Sequence, residues 1–508
     1  MSTRIGYLLA AAYLIASANA QAQTAPNAQQ VLMYSATLPS GAVPSVFSET
    51  QVQANLATLQ LVPTNPTYQI LTNASNYTSN QNFVQMSNAL NASIATSLSI
   101  IPLSSPASGV ISRKDPDTGL DLSESSTLGP IFTERAETIG KRHWYIGFSN
   151  QDFHFTRYNG ASLNGLNILY PGNQASAVVP SVGASVLTTV PASFGLGMDV
   201  RLSQNIAFLT YGVTDRFDIS VGLPVVHSAV EARTYNGMIY AGNGFGTNGS
   251  ACWCANTFTQ GAPTLIEPVI GQASYGKTGF GDLLVRGKRT MYRSPHTVIA
   301  LGADLRLPTG DAKNYLGVGT TSVKPFVAVS FYSKRLSNGI VLSPHFDAGW
   351  QFSGRSILGG VLTPTQLIQN GPYGTPFTTS KGFLPDVFSW AGGVELALGS
   401  RSTVVADILG NQIGWIHGIP NTTTETLSGL AFPTSVNGDY TGAAVPVKGS
   451  VSGLVSAGNV SFGQYSGSFG YKLKVAGNLV VNLNALVRFD NNGLAARLVP
   501  LFGLGYSF

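Results

Sequence analysis

Charged side chains make up only 10% of this 508-residue chain, so the few that recur at matched spacing stand out. Arg286 and Asp304 lie symmetrically about a short turn at 293–295, and Lys324 and Asp347 about one at 333–338. Cross-strand pairing would set each base opposite its acid, which is how ions are kept inside a confined polar interior. Glu395 and Asp407 flank a turn at 399–401 and would bring two carboxylates together, a combination that needs a cation or a shared proton. Lys472, on a later segment, is the expected cation. Such a pair invites an acid/base reading, although in a closed interior a charge network is the plainer role.

Those residues need rigid, alternating elements to hold them. The end of the chain shows the pattern most clearly: Leu498, Phe502, Leu504, Tyr506 and Phe508 occupy alternate positions, with Arg497, Gly503, Gly505 and Ser507 between them. One apolar face and one polar face at period two suit a strand with lipid outside and a wet lumen inside. Similar segments run near 142–156, 195–211, 216–232, 279–292, 297–308, 321–332, 339–352, 386–398, 402–411, 461–474, 479–490 and 496–508. Their connectors alternate between short and long, so tight turns fall on one side and loops near 157–194, 233–278, 309–320, 353–385 and 412–460 on the other. The expected fold is therefore all-β, an antiparallel transmembrane β-barrel of about twelve strands over 141–508. Asp282, Arg286, Asp304, Arg306, Lys324, His345, Asp347, Glu395, Asp407, Lys472, Arg488 and Arg497 are assigned to the lumen. Arg289 falls on the lipid parity and is expected to snorkel at the rim.

The first twenty residues read as a secretory signal peptide: Arg4, an apolar run from Ile5 to Ala16, then Ala18-Asn19-Ala20. Residues 21–140 are polar, rich in Asn, Gln, Ser and Thr, and show no alternation. Phe83, Met86, Leu90, Ile94 and Leu98 predict one amphipathic helix among them. This segment either plugs the lumen or hangs in the periplasm; an apolar stripe must bury somewhere, which favours the plug.

Other signals are weak. Cys252 and Cys254 in an exported, Gly-rich stretch predict a disulfide, and no His, Asp or Glu between 244 and 262 completes a metal site. The six histidines (143, 154, 227, 296, 345, 417) have no ligand spacing and no nucleophile partner. Gly244-Phe-Gly246-Thr-Asn-Gly249 matches a dinucleotide fingerprint only by letter, without a strand-to-helix context. Ser337-Asn338-Gly339 resembles part of the serine motif of outer-membrane phospholipases, but Arg335 stands where His is needed. The 28 basic and 23 acidic residues are scattered, which gives no patch for nucleic acid. No enzyme, metal or cofactor is expected.

Four stretches together resemble the outer-membrane transporter family of the meta-pathway of phenol degradation: Leu128–Gly140 (LGPIFTERAETIG), Tyr211–Asp218 (YGVTDRFD), Gly279–Leu284 (GFGDLL) and Leu305–Asp311 (LRLPTGD). The resemblance runs from about residue 125 to the end. It implies a passive or gated channel for small aromatic or hydrophobic solutes, without cofactor, in the outer membrane of a Gram-negative bacterium. The terminal Tyr506 and Phe508 resemble the signal read by the barrel assembly machinery. A surface adhesin or a structural barrel with a closed lumen is the alternative.

Overall fold

The computed structural model describes residues 23–25, 27–32, 75–101, 112–114, 121–123, 127–179, 184–241, 253–254, 269–333, 340–364, 377–399, 401–418, 423–431, 445–455 and 458–508. The signal peptide, Cys252 and the side chain of Cys254 lie outside this set, and so does their pairing. No described helix is long and apolar enough to cross a membrane.

The wall is built from β1 (Trp144–Phe155), β2 (Ala184–Thr214), β3 (Phe217–Ala241), β4 (Val269–Phe280), β5 (Leu283–Arg293), β6 (Thr297–Leu307), β7 (Ser322–Phe331), β8 (Val341–Ser353), β9 (Val387–Ala397), β10 (Ser402–Gly418), β11 (Gly458–Ala476), β12 (Leu479–Arg488) and β13 (Leu498–Ser507). Strands β4 and β5 pair with successive lengths of β3, so together they make one crossing. The result is twelve antiparallel crossings, closed where β13 pairs with β1. Trp144 and Phe508 seal that seam with two backbone hydrogen bonds of 2.8 and 2.9 Å. Closure leaves no unpaired edge, the condition for a sheet to span lipid.

In the half nearest the tight turns, side chains alternate as the sequence predicts. Leu483, Val487 and Phe489 are exposed on the outside of β12 and its end, while Asn484 is buried inside. Trp350 and Phe352 are exposed near the end of β8 remote from the tight turns; Tyr292, Phe331, Tyr506 and Phe508 ring the other rim. Arg289 is exposed on the outer face. An apolar belt between aromatic rims is the architecture of the bacterial outer membrane.

The expected long loops require a correction. Much of 166–179, 184–194 and 233–241 is strand, and β2 alone has 31 residues, against the roughly 9–11 that span a bilayer. The wall therefore continues well beyond the membrane on the far side. There the alternation reverses: Asp199, Arg201, Glu231 and Arg233 face out, and Leu196, Met198, Val200 and Val230 are buried inside.

Helix α1 (Ser75–Ser99) fills this upper apolar lumen, packing against β10 and the strand Leu166–Val179. Leu90, Ile94 and Leu98 are buried; Phe83 and Met86, expected on the same stripe, lie outside the described side chains. Every residue from Ser87 to Ser99 is buried, polar ones included. That is tolerated because the hydroxyls bond back along the helix: Ser93 to Ala89 O (2.8 Å), Thr96 to Ala92 O (2.8 Å) and Ser97 to Ser93 O (3.0 Å). Asn88 exchanges two bonds with the Leu362 backbone (3.2 and 2.9 Å), as another peptide unit would. Tyr315, in the loop after β6, donates to Asn91, and burial raises its pKa, keeping the hydroxyl a donor. The small polar composition of this region thus makes a helix narrow enough to sit inside a barrel.

Candidate functional site in the lumen

Below the helix, at the end of the tight turns, the chain from Thr127 to Gly140 crosses the lumen as an extended strap. Its steps are tied in turn to the inward faces of β10, β11, β8, β7 and β3. Leu128 N donates to Thr403 Oγ1 (3.1 Å), and Lys472 Nζ donates to the carbonyls of Leu128 (3.4 Å) and Pro130 (2.7 Å). Phe132 N and Thr133 Oγ1 donate to Asp407 (3.5 and 3.4 Å). Glu134 N donates to Asp347 Oδ2 at 2.8 Å, and Ala136 N to Ser330 Oγ at 3.0 Å. Ile139 N reaches Asp218 Oδ2 at 3.3 Å. The strap then turns into β1 at Gly140, whose carbonyl lies so close to Gly212 that a Cβ there would sit 1.7 Å from it.

Opposite charges run through this contact. Glu134 pairs with Arg286 and with Lys288 (2.7 Å), and Lys288 also donates to Arg135 O (2.8 Å). Arg135, 1% exposed, lies 3.5 Å from Glu395 and donates to Thr127 Oγ1 at 2.9 Å. Lys288, Glu134, Arg135 and Asp218 were not among the residues assigned from the alternation. Lys288 shares the parity of Arg286 and could have been found; the strap residues have no period to betray them.

The structure places the assigned residues as follows. Arg286 faces Asp304 across the β5–β6 ladder with a two-pronged bond, at 2.5 and 2.7 Å. Lys324 does not come opposite Asp347: its ladder partner on β6 is Asp304, and Asp347 comes opposite Ala328. The hairpin closes at Ser333 and Leu342, with a bond of 2.9 Å, so its loop is longer than 333–338 and the register moves by four residues. Glu395 and Asp407 are likewise diagonal rather than opposed, because the closing bond joins Leu398 N to Ser402 O (2.8 Å). His345 lies between them, its Nε2 2.8 Å from Asp407 and its Nδ1 3.6 Å from Glu395. Lys472 contacts the strap and has Thr403 as its ladder partner. Asp282 accepts backbone N–H bonds from Val318 (2.7 Å) and Gly310 (3.0 Å), which ties down the loop after β6. Arg306 donates to Leu98 O (3.3 Å) at the C-terminal end of α1, where a cation also meets the negative end of the helix dipole. Arg488 grips Asp490 with two bonds (3.0 and 3.1 Å). Arg497 is exposed on the bend before β13 and lines none of the cavities described below.

Between helix and strap lies a chamber. Its main cavity, about 110 Å³, has Ser99 to Ile101 above, Phe132 and Glu134 below, and Arg286, Arg306, Lys324, Phe326 and Asp347 among its walls. Smaller cavities of about 60 and 40 Å³ flank it, beside Phe153 and Arg488 and beside Leu202 and Asp282. The chamber is the meeting level of the two lumen halves: apolar above, charged below. Such a site can hold a molecule with one greasy and one polar part.

Residues 171–396 match the model of the family described as "Putative MetA-pathway of phenol degradation". This is the family that the four motifs resemble. Similar solved structures include an outer-membrane channel from Pseudomonas putida F1 (9% identity, TM-score 0.36, covering 73% of this chain and 98% of that one). A Pseudomonas aeruginosa FadL homologue has 11% identity and a TM-score of 0.29, covering 80% and 98%. The Ralstonia pickettii toluene transporter TbuX has 9% identity and a TM-score of 0.29, covering 73% and 90%. Among curated proteins, none matches the chain. Of the four stretches, Leu128–Gly140, which precedes the matched residues, is the strap, and Tyr211–Asp218, within them, is the turn to which its end is fastened.

Proposed function

We propose that this protein is an outer-membrane channel for the passive uptake of small aromatic or hydrophobic solutes. The observation that carries the reading is the chamber, enclosed within a lipid-spanning wall between a helix and a strap that belong to the same N-terminal segment. A purely structural barrel has no need of a cavity at mid-lumen lined by both aromatic and charged groups. The family likeness over 171–396 supports solutes of this kind. The N-terminal segment acts as the plug: α1 closes the outer half of the lumen and the strap closes the periplasmic mouth, so flux requires one or both to move. Tyr506 and Phe508, exposed at the rim with ring centroids 5.9 Å apart, serve as the recognition end for the assembly machinery.

Planar-bilayer conductance tests the proposal, comparing the full barrel with a variant that lacks residues 24–125 and carries Glu134→Ala, which removes α1 and unfastens the strap together. The full chain is expected to open rarely and the deletion to conduct steadily. Silence in both forms would overturn the channel reading and leave the closed structural barrel, which the occluded lumen otherwise also suits.

A further inference from the structure

The acids around the chamber are occupied, and one base is not. Both oxygens of Asp304 are taken by Arg286, those of Glu134 by Arg286 and Lys288, and Asp347 accepts Glu134 N at 2.8 Å. Lys324 lines the same cavity, half-buried, and among the described residues no hydrogen bond reaches its Nζ. Arg306 spends a single bond on Leu98 O. The cavity lining carries three cations (Arg286, Arg306, Lys324) and three carboxylates (Glu134, Asp304, Asp347), and Lys288 outside it has Asp218 as its ladder partner, so what distinguishes Lys324 is its missing hydrogen bond rather than a net charge.

The wall is shaped to seat Lys324 and an aromatic ring next to it. A Cβ on Gly349 would come within 2.8 Å of Lys324 Cε, and one on Gly302 within 2.3 Å of Phe326 Cζ. Both neighbours are cut back to glycine, so the lysine stem and the phenyl ring can lie along the wall. Phe326 also carries the Arg286 guanidinium 5.0 Å from its centroid. Phe132 contributes a second ring from the strap, with Leu284 and Leu409 around it.

We propose that the chamber selects small aromatic carboxylates, with the ring held among Phe132, Phe326, Leu284 and Leu409 and the carboxylate bound to Lys324. This rests on the channel reading and narrows its solute class. An anion supplies a hydrogen-bond acceptor to an ammonium that otherwise meets Asp304 and Asp347 only through space. A neutral hydrocarbon leaves it without an acceptor, and an organic cation sets a second positive charge beside it.

The test is calorimetric titration of the folded full-length barrel with benzoate, benzyl alcohol, benzylammonium and acetate. Benzoate is expected to bind at least tenfold more tightly than the other three. Lys324→Met should cost benzoate at least tenfold and change benzyl alcohol less than twofold, and Lys324→Arg should retain most of the benzoate affinity. Gly349→Ala, which crowds the lysine stem without removing the charge, should weaken benzoate measurably. Heat-modifiable migration on gels checks that each variant is folded. Benzyl alcohol or acetate binding as tightly as benzoate would overturn the proposal, as would Lys324→Met leaving benzoate unchanged. Vesicle uptake separates this from the parent reading: wild-type binding of benzoate without flux of any solute sinks the channel and spares the site, whereas benzoate flux insensitive to Lys324→Met sinks the site and spares the channel.

Discussion

The lower and upper halves of β2 are one continuous strand with opposite chemistry. Near the tight turn, Leu209 and Val213 are exposed outside and Thr210 is buried inside. About ten residues further from that turn, Asp199 and Arg201 are outside while Met198, Val200 and Leu202 are buried inside. Backbone geometry is the same in both halves; what changes is the medium each face meets. Outside, lipid gives way to water, and inside, a charged strap gives way to a helix without a charged residue. The level where the polarity crosses over, near Gln204 on β2 and Val226 on β3, marks the outer edge of the bilayer, and the chamber sits in the lumen at about the level where its own lining changes.

The largest effect that would break this picture is at the strap. Glu134→Ala leaves Arg286 and Lys288, 12% and 1% exposed at their side chains, without a shared counter-charge. Removing one partner of a buried ion pair costs about 3–5 kcal/mol. The urea midpoint in lipid vesicles should fall accordingly, the strap should become cleavable by trypsin at Arg135 or Lys141, and bilayer conductance should rise. An unchanged midpoint with a silent bilayer would mean that the strap does not close the mouth.

A same-strand, same-face pair sharpens the boundary. Leu209→Arg puts a charge in hydrocarbon and should cost about 2–4 kcal/mol. Ser203→Arg, six residues away on the outer face, meets water and should stay within about 0.5 kcal/mol. Equal costs in the same vesicle unfolding titration would erase the proposed membrane edge.

This reversal also explains what could be read from the residues and what could not. The twelve crossings were legible because hydrocarbon tolerates no irregularity on the outer face, so Leu479 to Phe489 and Ile340 to Phe352 alternate without a break. The wall at 166–179, 184–194 and 233–241 was read as loop because it lacks the apolar alternation of a lipid-facing strand, and at Leu196 to Leu202, within a segment read as strand, the apolar residues sit on what had been the polar parity. Register was the next casualty: Lys324 with Asp347, and Glu395 with Asp407, depend on how many residues a turn uses, and turn composition does not count them. The strap was invisible to periodicity altogether. Its only signal was the LGPIFTERAETIG motif, whose Glu134 and Arg135 make the buried ion pairs that no strand pattern could assign.

Above the Arg306 contact at its C-terminal end, the described side-chain bonds of α1 to its surroundings are neutral, so breaking one should cost less. Tyr158, fully buried, shares a 2.8 Å hydrogen bond with Ser93 of α1. Tyr158→Phe removes that hydroxyl, but Ser93 still donates to Ala89 O, so little is left unsatisfied. A loss of about 0.5–1.5 kcal/mol is expected, visible as faster hydrogen exchange along 87–99 with the strap unaffected. A loss as large as that of Glu134→Ala would remove the contrast between the two halves.

The smallest effect lies at the aqueous surface, where charges are screened. Lys277 donates to Asp311 at 2.8 Å and Asn314 donates to the same carboxylate. Partial burial pushes Asp311 up, but these bonds outweigh it and hold its pKa below the ordinary carboxylate value. A carboxylate depressed by folding contributes stability that is present above its unfolded pKa, about 3.9, and is lost as pH falls through the lower folded value. Exchange protection in the loop after β6, where Leu316 N donates to Asp311 O at 3.1 Å, should therefore be flat from neutral pH to about pH 5 and decline below pH 4. In Asp311→Asn the decline should disappear. High salt should weaken the wild-type effect, since both partners are more than a third exposed. A decline equally steep in the Asn variant would place its origin among the buried carboxylates of the lower lumen, and the polar half of the barrel, rather than its surface, would then be its acid-sensitive part.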